Sequence, residues 1–141
     1  MKKAIELGMQ VKGLTGDNPN VGCVIVMENH IIGEGNTRPP GGPHAEISAF
    51  LDAELHNQPV EGAILYSTVE PCSFFGRTPP CTSAIIQKQI KQVVIGIRDP
   101  HPSVSGEGVR LLKATGIDVV EDVCQEEVRG YLAEWLKSYE V

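Results

Sequence analysis

The sequence predicts a three-layer α/β/α domain on a mixed sheet of about five strands. Three observations carry that prediction. The 141 residues, 41% of them hydrophobic, suit one core rather than two. Two strand-like runs near the start are separated by a turn-length segment, as in an antiparallel hairpin. After them, strand-like and helix-like segments alternate, which calls for further strands with helices on both faces. A domain of this length buries roughly 68–70% of the surface its unfolded chain exposes, so folding needs no disulfide scaffold.

The elements follow in order. Residues 4–14 carry Ile5, Met9 and Leu14 as an opening helix, weakened by Gly8 and Gly13. Val21–Met27 is a nearly continuous apolar strand, and Glu28-Asn29-His30 turns it into Ile31–Gly35. Pro39-Pro40-Gly41-Gly42-Pro43 forbids regular structure, and Pro43 suits the first turn of a helix from about His44 to Asn57 with Ile47, Phe50 and Leu51 as its core stripe. Ala63–Val69 is a strand ending in Glu70-Pro71-Cys72, followed by a loop over Ser73–Pro80 and a helix from Cys81 to about Gln89. Val93–Ile97 is a short buried strand, and the Asp99-Pro100-His101-Pro102 loop leaves its C-terminal end, a common place for ligands in α/β sheets. A helix over 107–115 stops at Gly116 before Ile117–Val120. The last helix has Val128, Tyr131, Leu132, Trp135, Leu136 and Tyr139 on one stripe.

Twelve basic against eighteen acidic residues give a net charge of −6, the wrong sign for gripping phosphate backbones, so nucleic acid is disfavoured as a partner. No apolar run approaches the ~20 residues that span a bilayer, and no signal-type stretch follows Met1-Lys2-Lys3, so the expected location is the cytoplasm, away from membranes. Cys23, Cys72, Cys81 and Cys124 are too few and too scattered for a secreted disulfide framework. In a reducing compartment, thiols favour metal or catalytic work.

His44 stands at a proline-marked helix start, Cys72 at a strand end, and Cys81 at another helix start. One imidazole and two thiolates are a zinc-type donor set with a fourth position open, where water is acidified towards ~7. Glu46, two residues beyond His44, is placed to take the water's proton and return it to a leaving group. Taken singly, His44 reads as an ordinary helix-start histidine and each cysteine as a small buried hydrophobe. Their combination with Glu46 meets the roles of the zinc-deaminase signature His-x-Glu…Pro-Cys-x-x-Cys, except that eight residues separate Cys72 from Cys81. A purely structural zinc would want a fourth ligand, and His56, Cys23 and Cys124 show no partner spacing. Packing is the default for Cys23 and Cys124.

That longer spacing, in Thr68-Val69-Glu70-Pro71-Cys72 through Pro79-Pro80-Cys81, resembles the pyrimidine deaminase domain of riboflavin biosynthesis, within the zinc-dependent cytidine deaminase-like superfamily. Asn18-Pro19-Asn20-Val21-Gly22, Gly33-Glu34-Gly35, Gly41-Gly42-Pro43-His44-Ala45-Glu46 and Asp99-Pro100-His101-Pro102 follow the same family in order, over nearly the whole chain. The resemblance implies a cytidine deaminase-like fold and hydrolytic removal of the 2-amino group from a diaminopyrimidinone carrying a ribosylamino or ribitylamino 5′-phosphate. It implies zinc on His44, Cys72 and Cys81, proton transfer by Glu46, and Asn18 and Ala45 on the substrate side. Arg77 falls on a basic position suited to the phosphate, against its reading as a solvated loop cation.

Thr37 and Phe74 occupy substrate-flanking positions where the family's bacterial pattern usually has His, and His101 replaces a usual Asn. A phenyl ring in place of an imidazole trades hydrogen bonding for stacking, although Phe74 also suits a loop anchor. Three functions are therefore weighed: the riboflavin-pathway deaminase, a deaminase of another nucleoside, base or secondary-metabolite pyrimidine, and a non-catalytic zinc-stabilised binding subunit. The chain is expected to be one deaminase domain over 1–141 without the reductase domain of bifunctional members, so that a separate reductase would act in the pathway. By the same likeness, a homodimer or homotetramer is expected.

Overall fold

The computed structural model describes residues 1–74 and 79–139. Helix α1 (Lys2–Gln10) precedes β1 (Gly22–Met27) and β2 (His30–Asn36), then α2 (Ala45–Leu55), β3 (Ile64–Val69), α3 (Cys81–Gln87), β4 (Gln92–Ile97), α4 (Glu107–Ala114), β5 (Asp118–Val120), α5 (Gln125–Tyr131) and α6 (Ala133–Leu136). A 3₁₀ turn over Lys137–Tyr139 follows. The sheet order is β2-β1-β3-β4-β5. β1 is antiparallel to both β2 and β3, while β3, β4 and β5 run parallel. α2, α3 and α4 form one neighbouring set of helices and α1 with α5 another, giving the predicted three layers.

The hairpin turn forms because Glu28 and Asn29 both take positive φ, 49° and 65°, the pair a tight type I′ turn requires. His30 is then the first residue of β2 rather than part of the turn. Ile25, Leu65 and Val93 lie in one cross-strand row and are fully buried, each side chain contributing roughly 1.5–3 kcal/mol. Gly116, at φ 88°, ends α4 as expected.

Three expectations are corrected. α1 spans Lys2–Gln10, ending before Gly13, and Met9 and Leu14 are exposed. On α2 the buried stripe is Ala45, Ala49 and Ala53 with Phe50, while Leu51 is 53% exposed. The reason lies underneath: Gly33 and Gly35 of β2 present no side chains, and a Cβ at either would strike the backbone of Ala49 or Ala45. The helix therefore sits directly on the strand, and only methyl groups fit between them. The last helix is interrupted at Leu132, whose φ of −98° and ψ of 13° leave the helical range. Gly130 weakens the helix there, yet Val128, Leu132 and Leu136 remain buried, each bonded to the next through a backbone N–H···O=C at 3.0–3.1 Å.

This topology gathers one edge of the sheet into a site. The C-terminal ends of β2, β3 and β4 and the N-terminal end of the antiparallel β1 all open on the same side, with Gly22 paired to Asn36 and Cys23 to Ser67. Thr37, Cys72 and Asp99 leave the sheet at that edge, and α2 and α3 begin beside it.

Candidate metal centre and substrate cavity

His44 is the N-cap of α2 in extended conformation, φ −69° and ψ 167°, and Cys81 is the first residue of α3. Cys72 follows β3, and the Cys81 N–H donates to its sulfur at 3.2 Å while the Thr82 N–H donates to its carbonyl at 3.2 Å. His44 Nδ1 lies 3.6 Å from Cys72 Sγ and 3.4 Å from Cys81 Sγ, and the three donor atoms all fall within 4.8 Å of one another. A tetrahedral centre with bonds of about 2.05 Å to nitrogen and about 2.3 Å to sulfur separates N from S by about 3.6 Å. The observed separations match that chord, so these side chains fit zinc. Exposure falls from His44 through Cys72 to Cys81, leaving the imidazole side the open one.

The electrostatics agree with a cation site. Left to themselves, two thiols this close share one proton: the hydrogen bond from Cys81, helped by His44, lowers the Cys72 thiol to about 4, while the same hydrogen bond and burial push Cys81 upward. The hydrogen bond with Cys72 raises His44, against the opposing effect of burial. A divalent cation between the sulfurs favours both as thiolates. Glu46, in the first turn of α2, is buried, and desolvation lifts its carboxyl to about 7, with the Cys72 charge adding to the rise. Such a group can both accept and return a proton near neutrality.

A cavity of about 650 Å³ opens over this centre, and His44, Ala45, Glu46 and Cys72 line it together with Asn18, Thr37 and Phe74. The side chains expected for metal, proton transfer and substrate thus meet at one place, apart from Arg77, which lies outside the described residues. Cys23 is fully buried in β1 and Cys124 precedes α5, consistent with packing roles.

Sequence reasoning missed several neighbours. Asp99, in the loop read as a place for ligands, lines the cavity too, and so do the unexpected Trp135 and Tyr139, whose rings pack edge to face at 5.5 Å, with His101 6.0 Å from Tyr139. The expected core stripe of the last helix thus ends as part of the cavity wall. Glu70 is buried and accepts three backbone N–H groups, from Asp99 and Gly106 on Oε1 and from Val109 on Oε2. It ties the strand end bearing Cys72 to the Asp99 loop and the start of α4. An acidic residue before Pro71 was the available signal.

The chain is similar over 92% of its length to the riboflavin biosynthesis protein RibD of Aquifex aeolicus, at 49% identity, and spans 35% of that protein. It thus covers about a third of the length of such relatives. A diaminohydroxyphosphoribosylamino-pyrimidine deaminase of Buchnera aphidicola is 45% identical over 93% of this chain and 87% of its own. Among solved structures, a diaminohydroxyphosphoribosylaminopyrimidine deaminase/5-amino-6-(5-phosphoribosylamino)uracil reductase from Thermotoga maritima superposes with a TM-score of 0.91 at 44% identity, over 99% of this chain and 40% of that one. Residues 1–97, which include all three metal-fitting side chains and Glu46, match the model of the cytidine and deoxycytidylate deaminase zinc-binding region, and the chain belongs to that family.

Proposed function

We propose that this chain is a zinc-dependent pyrimidine deaminase whose substrate is the riboflavin-pathway diaminopyrimidinone carrying a ribosylamino or ribitylamino 5′-phosphate. One observation carries the reading: His44 Nδ1 lies 3.4 and 3.6 Å from two sulfurs, with buried Glu46 beside them on the wall of a single cavity. Zinc on His44, Cys72 and Cys81 supplies Lewis acidity that makes water a competent nucleophile near neutral pH. The remaining work belongs to side chains. Glu46 takes a proton from the attacking water and delivers it to the ring nitrogen, then takes the second proton from the added hydroxyl and hands it to the departing amine. The C–N bond breaks as the carbonyl forms, so one water enters and one ammonia leaves. Ala45 is fully buried and closes the wall between His44 and Glu46. Asn18 holds the pyrimidine edge, Phe74 offers a ring face, and Arg77 serves the phosphate.

The relatives at 42–49% identity support this substrate. Purified, zinc-loaded protein offered the diaminopyrimidine phosphate is expected to release ammonia, and no release above a Glu46→Ala control would reject that substrate. A second reading, deamination of a different nucleoside, base or secondary-metabolite pyrimidine, is favoured by one feature: Phe74 is 54% exposed at the cavity, an apolar ring where a polar reader is expected. A substrate panel separates the two.

We further infer that the deaminase works in the cytoplasm as a homodimer or homotetramer. No helix among the described residues is long and apolar enough to cross a membrane. Size-exclusion chromatography with light scattering tests the assembly, since a monomer at micromolar concentration would reject it.

A further inference from the structure

Three consecutive carbonyls in the loop before β1 each accept a side-chain hydroxyl. Thr15 Oγ1 donates to the Asn18 carbonyl at 2.7 Å, Thr37 Oγ1 to the Pro19 carbonyl at 3.0 Å, and the Tyr131 hydroxyl to the Asn20 carbonyl at 2.9 Å. The three donors come from the loop itself, from the end of β2 and from α5. Thr37 is the most heavily engaged. Its oxygen also accepts the Val21 N–H at 2.9 Å, and its own N–H donates to the Val21 carbonyl at 3.0 Å. A hydroxyl has one proton, and here Pro19 takes it. At 6% exposure on the cavity wall, Thr37 therefore faces the ligand space without a free donor. Asn18 is the reverse: its backbone is held, while its carboxamide makes no hydrogen bond among the described residues and lines the cavity.

We propose that Thr37 is a positioning residue, whose hydroxyl fixes the Pro19–Val21 backbone and thereby presents the Asn18 carboxamide to the substrate. Proline has no N–H, and the segment from Asn18 to Val21 is tied to itself by the Val21 N–H, which donates to the Pro19 carbonyl at 3.1 Å. The Thr37 hydroxyl braces that bond, accepting from the same Val21 N–H and donating to the same Pro19 carbonyl. With its proton committed to the Pro19 carbonyl, the Thr37 hydroxyl leaves the readout to its neighbour. Asn18 becomes the polar group that recognises the pyrimidine on this wall.

The inference rests on the deaminase reading, in which Asn18 touches substrate, and a double-mutant cycle on the zinc-loaded full chain tests it. T37V keeps the volume and removes both hydrogen bonds. It should raise KM about tenfold with kcat within about twofold, and T37S, which keeps the hydroxyl, should recover most of the loss. In an N18A background, T37V should raise KM by less than about twofold, because the group it aims is gone. A repeated tenfold rise in that background would mean that Thr37 contacts the substrate itself, overturning the proposal, as would an N18A variant with unchanged KM. An independent arm needs no turnover. In T37V, amide exchange at Val21 should accelerate at least about tenfold and the Asn18 carboxamide resonances should move; unchanged exchange and shifts overturn the clamp. Absence of ammonia from the wild type would reject the deaminase reading alone, and the exchange arm would then decide the clamp.

Discussion

The Glu70 carboxylate accepts the backbone N–H of Asp99 at 3.1 Å across a sequence separation of 29 residues. The same side chain holds Gly106 at 2.9 Å and Val109 at 3.0 Å, so one anion closes the loop between β4 and α4. Gly108 is required for this approach, since a Cβ there would press on the Pro71 carbonyl and on Glu70 itself. Removing the carboxylate leaves three N–H groups without their acceptor, and hydrogen bonds to a charged group are worth more than neutral ones. Glu70→Ala should lower unfolding free energy by about 3 kcal/mol. Urea denaturation of the two proteins checks it, and a loss below about 1 kcal/mol would show that water satisfies the loop equally well.

Zinc content tests the donor set directly. Cys72→Ala, Cys81→Ala and His44→Ala should each reduce bound zinc from about one equivalent to a small fraction of it, because a site with two protein ligands is incomplete. Elemental analysis after exhaustive dialysis measures this. Cobalt substitution adds a second readout, as sulfur-to-cobalt charge-transfer bands should appear in the wild type and weaken when either cysteine is removed. Full metal retention in all three variants would place the ion elsewhere.

How much of this was legible in the sequence depended on what kind of interaction decides each feature. His44, Glu46, Cys72 and Cys81 announce themselves because their chemistry is carried by residue type and by position at element ends. The hairpin and the alternating elements were equally readable from apolar runs and turn residues. Leu51 misled because pattern reading ranks positions by side-chain size, whereas α2 is seated by what β2 lacks at Gly33 and Gly35. Thr37 was marked for its place beside the substrate, but the backbone-holding roles of Glu70 and Thr37 were opaque for another reason. Their partners are backbone groups 16 to 39 residues distant, and a backbone N–H carries no signature in the sequence.

Tyr131 should impose an alkaline limit on stability. Its hydroxyl bonds the Asn20 carbonyl and lies 2.9 Å from Thr68 Oγ1, and burial pushes its ionisation up to about 12 from the ordinary 10.0. Between those values the folded state keeps a proton that the unfolded state has lost. The contribution is therefore fully present below pH 10 and is lost as pH rises towards 12, amounting to roughly 2–3 kcal/mol. Urea denaturation of wild type and Y131F from pH 8 to 12 separates this residue from the rest. Y131F should be less stable at pH 8 and should lose less on alkalinisation, and parallel pH curves would remove Tyr131 from the account.

Gly35 offers the sharpest test that the fold positions the chemistry. It lies in β2 beneath the first turn of α2, where a methyl group would meet the Ala45 carbonyl and the Ala49 N–H. Those atoms belong to helix backbone and cannot rotate aside, so Gly35→Ala must lift the N-terminus of α2 from the sheet. His44 and Glu46 ride on that turn, whereas Cys72, just after β3, and Cys81, the first residue of α3, stay behind. The expected result is a stability loss of about 3 kcal/mol, at the upper end of overpacking costs, together with weaker zinc binding. A Gly35→Ala protein that binds zinc as tightly as wild type would mean that α2 is not held by this contact.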